Sequence, residues 1–214
     1  MKAIITGDII SSRKLENQEI WLSPLKSLFS TWGKRPIDWE LERGDFFQIE
    51  IDNPEDSLKK ALQIKSLVKS TEPLDKSKKT STIDVRMAIG IGEKSYSGET
   101  IFESNGSAFV YSGEKFDMLK KENITIGIKT AWKDFDEEIN LYLKLSSLFM
   151  DKWTIPSAEL MQIILKDPHI TQEEIGKLLG IKQNSVSGRW NRANINEILE
   201  VNKMFQTKIK NLIK

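Results

Sequence analysis

The chain has 214 residues, enough to bury a real core and to hold a sheet domain with a smaller second domain. Its 32 Lys+Arg nearly balance 31 Asp+Glu, so a net charge of +1 gives no general attraction to nucleic acid; any such partner must meet a local patch. The absence of cysteine excludes disulfides, thiol nucleophiles and cysteine-held metals, and fits a reducing interior.

The first residues enter a strand directly, without a basic and apolar leader, and no apolar run approaches the roughly 18 residues that a membrane span needs. The expectation is a cytoplasmic protein with no membrane partner. Lys2 to Ile10 is a continuous apolar run closed by Asp8, as suits a central strand buried on both faces. From Leu15 to Trp32, the residues Leu15, Ile20, Trp21, Leu25, Leu28 and Phe29 recur at helical spacing, and Gly33 and Pro36 end that helix.

A β-hairpin follows, its first limb at Ile37 to Arg43 and its second at Asp45 to Asp52. Leu41, Phe47, Ile49 and Ile51 alternate out of it, Gly44 supplies the turn and Asp45 puts a carboxylate at its edge. Asn53-Pro54-Glu55-Asp56 opens a second helix with an apolar face of Leu58, Ala61, Leu62, Ile64, Leu67 and Val68. Ser70 to Thr82 is a polar, lysine-rich connection. A fourth strand (Ile83 to Ile91), an irregular stretch (Gly92 to Ser104), a third helix (Ser107 to Lys120) and a short fifth strand (Ile124 to Ile128) complete the first part.

The order β-α-β-β-α-β-α-β contains the split β-α-β plan of ferredoxin-like domains, an antiparallel sheet with both early helices on one face, hence an α+β class. In that plan the first strand lies beside the second hairpin strand, and Asp8 and Asp45 meet at one edge of the sheet. Two converging carboxylates repel unless a cation lies between them. A divalent ion such as Mg²⁺ or Mn²⁺, sharing them with phosphate oxygens, suits the pattern; an ordinary tight turn is the plain alternative.

Asp8-Ile9, Gly44-Asp45 and the strand Val85 to Gly92 (VRMAIGIG) together resemble the class III nucleotide cyclase catalytic domain and its palm-type relatives. The resemblance implies metal ligands at Asp8 and Asp45, and nucleotide or phosphate contacts from Ile9, Ser11, Ser12, Arg13, Gly44, Arg86 and Lys115. Along the segment from Gly106 to Lys115, Val110 stands where such enzymes carry Asn and Glu114 where they carry Arg, with Lys115 one residue on. Glu93 takes the place of a His. The groups that would stabilise transition-state charge are thus missing, so no catalytic residue is assigned and a degenerate, nucleotide-sensing domain is expected.

Beyond Thr130, Phe135 to Lys152 is amphipathic through Phe135, Ile139, Leu141, Tyr142, Leu145, Leu148 and Phe149, a stripe expected to face the core, with docking on another subunit as the alternative. Trp153-Thr154-Ile155-Pro156 breaks the chain before a helix that runs to about Leu165. Thr171 and Glu174 form a capping box at the start of a short helix with Ile175, Leu178 and Leu179 on its apolar face. Gly180 makes the turn, and a second helix follows with Val186 and Trp190 facing inward. This is a helix-turn-helix pattern, at about 157–192, whose outer surface carries Lys182, Gln183, Asn184, Ser187, Arg189 and Arg192, with Thr171 at its mouth. His169, the single histidine, has no metal partners and is read as surface. Asn191 to Lys214 continues as helix, its stripe of Ile195, Ile198, Leu199, Val201, Met204, Phe205, Ile209 and Leu212 serving either a homodimer seam or the chain's own core.

The whole chain resembles the SatD family of bacterial proteins, on Ile4 to Arg13, Gly44-Asp45-Phe46-Phe47-Gln48, the Arg86 strand, Gly106 to Gly113 and Lys152-Trp153-Thr154. The expected organisation is a palm-like sheet domain over 1–130 and a helical domain over 131–214. The expected function is a ligand-responsive, dimeric, DNA-binding transcriptional regulator. The alternative is a divalent-metal-dependent nucleotidyl cyclase or transferase.

Overall fold

The apolar run at the start of the chain becomes the middle of a sheet. A computed structural model describes residues 1–15, 17–42, 44–72 and 80–214. Within it β1 (Lys2–Ile10) lies between β3 (Phe46–Ile51) and β4 (Asp84–Gly92), antiparallel to both. β2 (Trp39–Glu42) forms one edge against β3, and β5 (Ile126–Lys129) forms the other, parallel to β4. The order β2-β3-β1-β4-β5 makes a mixed five-stranded sheet, and with the helices around it the α+β expectation is borne out. Arg43, at the end of the expected first hairpin limb, and 73–79 of the lysine-rich connection lie outside the described residues.

Strand alternation divides the sheet into two chemically different faces. On one face Ala3, Ile5, Ile9, Phe47, Ile49, Val85, Met87 and Ile89 are buried under α1 (Glu19–Ser30) and α2 (Ser57–Lys69), which puts both early helices on the same side. The other face is crossed by α3 (Ser107–Glu122), whose Ala108, Phe109, Phe116 and Leu119 cover Ile4 and Ala88. Beneath α3 the Thr6 hydroxyl meets that of Ser112 at 2.9 Å, and where α3 does not reach, that face carries Asp8, Gln48 and Glu50. Glu50 is buried but neutralised by Lys94 at 2.7 Å and Lys2 at 3.2 Å, as a buried carboxylate must be.

The limits of several elements differ from the expected ones by a residue or two, and some differences carry physical reasons. The first helix starts at Glu19, not Leu15, because Ser11 turns left-handed (φ 63°) and Ser12–Lys14 form a short 3-10 turn. Ile20 therefore falls on the exposed side. The C-terminal helices are α4 (Lys133–Met150), α5 (Ile155–Lys166), α6 (Gln172–Leu179), α7 (Gln183–Arg192) and α8 (Ile195–Leu212). The expected continuous helix from Asn191 is broken, because Asn194 adopts a left-handed conformation (φ 52°), which Asn tolerates better than most residues. Trp153 Nε1 donates to the carbonyl of Ala193 at 3.0 Å and pins that break to the end of α4.

The stripe of α8 folds back on its own chain: Ile195, Ile198, Phe205 and Ile209 join the same continuous apolar cluster as the sheet and α2. In α4, Phe135, Ile139, Leu143 and Met150 face that core, while Leu141, Leu145, Leu148 and Phe149 are exposed. The expectation that these last four pack inward is thus overturned. With buried Ser146 between Leu143 and Met150, three to four residues separate the inward positions, and the exposed leucines form a second stripe of the same period on the opposite side. No described helix is long and apolar enough to cross a membrane.

Candidate functional site

The strand register assembles the first candidate site from adjacent strands. Asp8 on β1 sits directly across from Phe46 of β3 and Arg86 of β4, so all three project from the face that α3 crosses. Arg86 Nη1 lies 3.5 Å from Asp8 Oδ2. Asp45 enters through the hairpin. Gly44 takes φ 82°, a conformation glycine adopts without strain, and the backbone carbonyl of Asp45 accepts a hydrogen bond from the Ile9 N–H at 2.9 Å. Ser12 Oγ donates to Asp45 Oδ2 at 3.0 Å, so the turn after β1 is tied to the hairpin tip.

Three aromatic rings close one flank. Phe46 stacks on Phe102 with centroids 5.9 Å apart and meets Phe116 of α3 edge-on at 5.7 Å. Lys120, one turn further along α3, lies over the Phe116 ring at 4.3 Å and contributes positive charge toward Asp8. Burial raises the Asp8 pKa above the ordinary carboxylate value; Arg86 and Lys120 oppose that shift, and the neighbouring charge of Asp45 adds to it. Asp8 Oδ1 and Arg86 Nε are both buried without a hydrogen-bond partner.

Not every residue singled out in the sequence converges here. Asp8, Asp45, Ser12 and Arg86 do, while Ser11 and Gly44 shape the loops and Arg13 points to solvent. The Ile9 side chain is in the core on the opposite face, and its N–H is already used by Asp45. Lys115 is displaced from the site: its aliphatic chain lies against Gly127 of β5, and its charge feels Glu122 and Asp136. The reason is helical phase. α3 faces the sheet with Ser112 and Phe116, four residues apart, and Lys115 is rotated about 100° from Phe116, toward β5. Lys120, Phe102 and Phe116 were not singled out in the sequence. The one signal for Lys120 is its position four after Phe116, readable only once the face of α3 is known.

An unpartnered buried oxygen on Asp8 and a second carboxylate on Asp45 are hard donors that fit a divalent cation. Among the described residues no group of three or more His, Asp or Glu gathers into a ready-made cage, so such an ion would complete its shell with water or phosphate oxygens. The raised pKa makes ionised Asp8 a net cost to the fold. The folded state holds the proton more tightly than the unfolded one, so stability attributable to this group rises as pH falls through the raised value. Asp8→Asn is therefore expected to melt higher than wild type at pH 7, with the gap closing by about pH 3, below the unfolded value. Thermal melts at the two pH values check this; an unchanged gap would exclude burial as its source.

The second candidate site lies on α6 and α7. Thr171 Oγ1 accepts from the Glu174 N–H at 3.2 Å, and Glu174 Oε2 accepts from the Thr171 N–H at 2.8 Å, completing the expected capping box. The Thr171 hydroxyl also donates to Glu174 at 2.7 Å and is thereby committed to the helix start. Ile175 is buried and Leu179 half-buried, but Leu178 is 67 % exposed, because only a step of four keeps to the inner face here. Gly180 turns at φ 63°, and α7 then anchors through Val186, fully buried, and Trp190, whose Nε1 donates to Asn196 Oδ1 at 2.9 Å. Lys182, Gln183, Asn184 and Arg192 stand exposed on the outside, with Ser187 and Arg189 half-buried along the same helix.

Elsewhere, α5 packs on α2, and Leu28, Trp32, Leu67, Gln162, Ile163 and Lys166 line a groove of about 660 Å³. No family model, no curated protein and no solved structure matches the chain.

Proposed function

We propose that the chain is a ligand-responsive DNA-binding regulator of transcription. In this reading α6, Gly180 and α7 form a helix-turn-helix, and the β1 to β4 sheet with its two helices is a ferredoxin-like, palm-type sensor akin to a degenerate nucleotide cyclase. The observation that carries it is the presentation of α7. Its inner side is locked by Val186, while Lys182, Gln183 and Asn184 stand exposed at its N-terminal end. Amide side chains there can read base edges, and Lys182 and Arg192 suit phosphates. Because α5 packs on both α2 and α7, a ligand at the sheet can bias the position of α7 by differential binding to two arrangements.

The test is a titration of the full chain with duplex DNA selected from a random pool, across a range of salt. Lys182→Ala with Arg192→Ala is expected to weaken binding roughly tenfold or more and to reduce the salt slope by about two, one per lost phosphate contact. Unchanged affinity and slope would mean that α7 does not face DNA.

A second reading, a divalent-metal-dependent nucleotidyl cyclase or transferase, is favoured by the orphaned Asp8 Oδ1 beside Asp45. Arg86, already committed to Asp8, and Lys115, turned away, weigh against turnover. Nucleoside triphosphate with Mg²⁺ or Mn²⁺ should bind wild type and fail to bind Asp8→Ala or Asp45→Ala; product formation on the same samples separates enzyme from sensor.

A further inference from the structure

We infer that α4 is the seam of an antiparallel homodimer, with a second copy of this chain as its partner. The core-facing side of α4 is already satisfied by Phe135, Ile139, Leu143 and Met150. Its opposite side exposes Leu141 at 56 %, Leu145 at 49 %, Leu148 at 57 % and Phe149 at 41 %. Isolated surface leucines need no explanation, but a contiguous apolar stripe on a helix marks an interaction site.

The spacing identifies the kind of partner. Asp134, Glu138, Leu141, Leu145 and Leu148 follow one another along α4 alternately four and three residues apart, the heptad period by which one helix seats against another, and Lys152 stands four residues further on, in the turn that follows the helix. Charge then selects the orientation. The stripe runs from acidic, through three leucines, to basic, with Asp134 and Lys152 both exposed. In a parallel pair Asp134 would meet its own copy, as would Lys152. In an antiparallel pair centred between Leu141 and Leu145, Asp134 lies against Lys152 of the other copy at both ends, and Leu141 lies against Leu145. Such a face is complementary to itself, as a two-fold interface requires. Glu138, which this register sets against Leu148 of the other copy, is held by Lys208 of the same chain, with the Tyr142 hydroxyl donating to it at 3.2 Å, so its charge is already balanced within its own chain. The stripe of α8 is not available for this purpose, since its apolar residues lie in the chain's own core.

Sedimentation equilibrium of the full chain from about 1 to 100 μM, a span that reads dissociation constants in the micromolar range, is the experiment. Wild type should be a dimer. Leu145→Glu, at an exposed position that leaves the fold intact, should weaken it roughly a hundredfold by placing a charge at the centre of the seam. Asp134→Lys and Lys152→Asp should each weaken it several-fold, and the two together should restore it, because reversal of both ends recreates unlike pairs. A monomeric wild type over that range would overturn the inference, as would a dimer indifferent to Leu145→Glu. A double reversal no tighter than the single ones would overturn the antiparallel arrangement.

Discussion

Gly90→Ala is expected to cost about 3 kcal/mol or more of folding stability, a loss of roughly 6–12 °C in Tm for a chain of this size. A methyl group at this position of β4 would stand 2.1 Å from the carbonyl oxygen of Ala108 and 2.3 Å from the amide nitrogen of Ser112. Both are backbone atoms of α3, so relief requires the whole helix to lift from the sheet, not a side chain to rotate. Lifting it breaks the contact between Thr6 Oγ1 and Ser112 Oγ at 2.9 Å and uncovers Phe109 and Phe116. It also withdraws Lys120 from Asp8, so ligand binding at the first site should fall together with stability. Gly113→Ala, in the same helix, supplies the contrast. Nothing lies within 4 Å of its added carbon, and removing a helix-interior glycine should stabilise by about 0.5–1 kcal/mol. Urea denaturation of the two variants beside wild type checks both signs. A Gly90→Ala midpoint equal to that of wild type would show that α3 is not seated on β4.

The reason α3 could not be placed from the sequence is visible in the same residues. β1 announces itself as a central strand because its apolar residues are continuous, and helices α1 and α2 announce theirs by period. The site of α3 is signalled instead by what is small: Ala88, Gly90 and Gly92 alternate along one face of β4, and Gly127 continues the strip onto β5. Small residues read as weak strand formers until a helix is known to need the room. The approach of Asp8 to Asp45 followed from the plan of the sheet, whereas the partnership of Asp8 with Arg86 required the register, which no local pattern supplies. In α4 two stripes share one helix, and composition alone cannot tell which one faces inward. The break at Asn194 was hidden for a similar reason, since apolar residues recur at helical spacing on both sides of it.

The junction between sheet and C-terminal helices rests on an equally specific residue, and Lys65→Met is expected to cost about 3 kcal/mol, the lower end for breaking a buried ion pair. Lys65, on α2, is fully buried, yet its ammonium reaches Asp151 Oδ1 at 2.5 Å, Asp84 Oδ1 at 2.8 Å and Thr125 Oγ1 at 3.2 Å. Three hydrogen-bond acceptors for three donors leave the cation satisfied. Thr125 in turn donates to Asp151 at 2.8 Å, and Lys69 donates to the Asp151 backbone carbonyl at 2.8 Å. The start of β4, the approach to β5 and the end of α4 are thus fastened to α2 at one point. Methionine keeps the length of the side chain and removes its charge, leaving the carboxylates of Asp84 and Asp151 facing each other with Lys69 as the remaining nearby cation. The lower end of the range applies because Asp151 is partly exposed and water can reach it. Neutralising the partners as well, by Lys65→Met with Asp84→Asn and Asp151→Asn, should recover at least half of the loss, since the penalty comes from unpaired buried charge and not from the missing bond itself. Chemical denaturation of the single and triple variants measures the two terms. A triple variant as unstable as the single one would assign the loss to packing around the α2 stem and remove the ion cluster from the account of this junction.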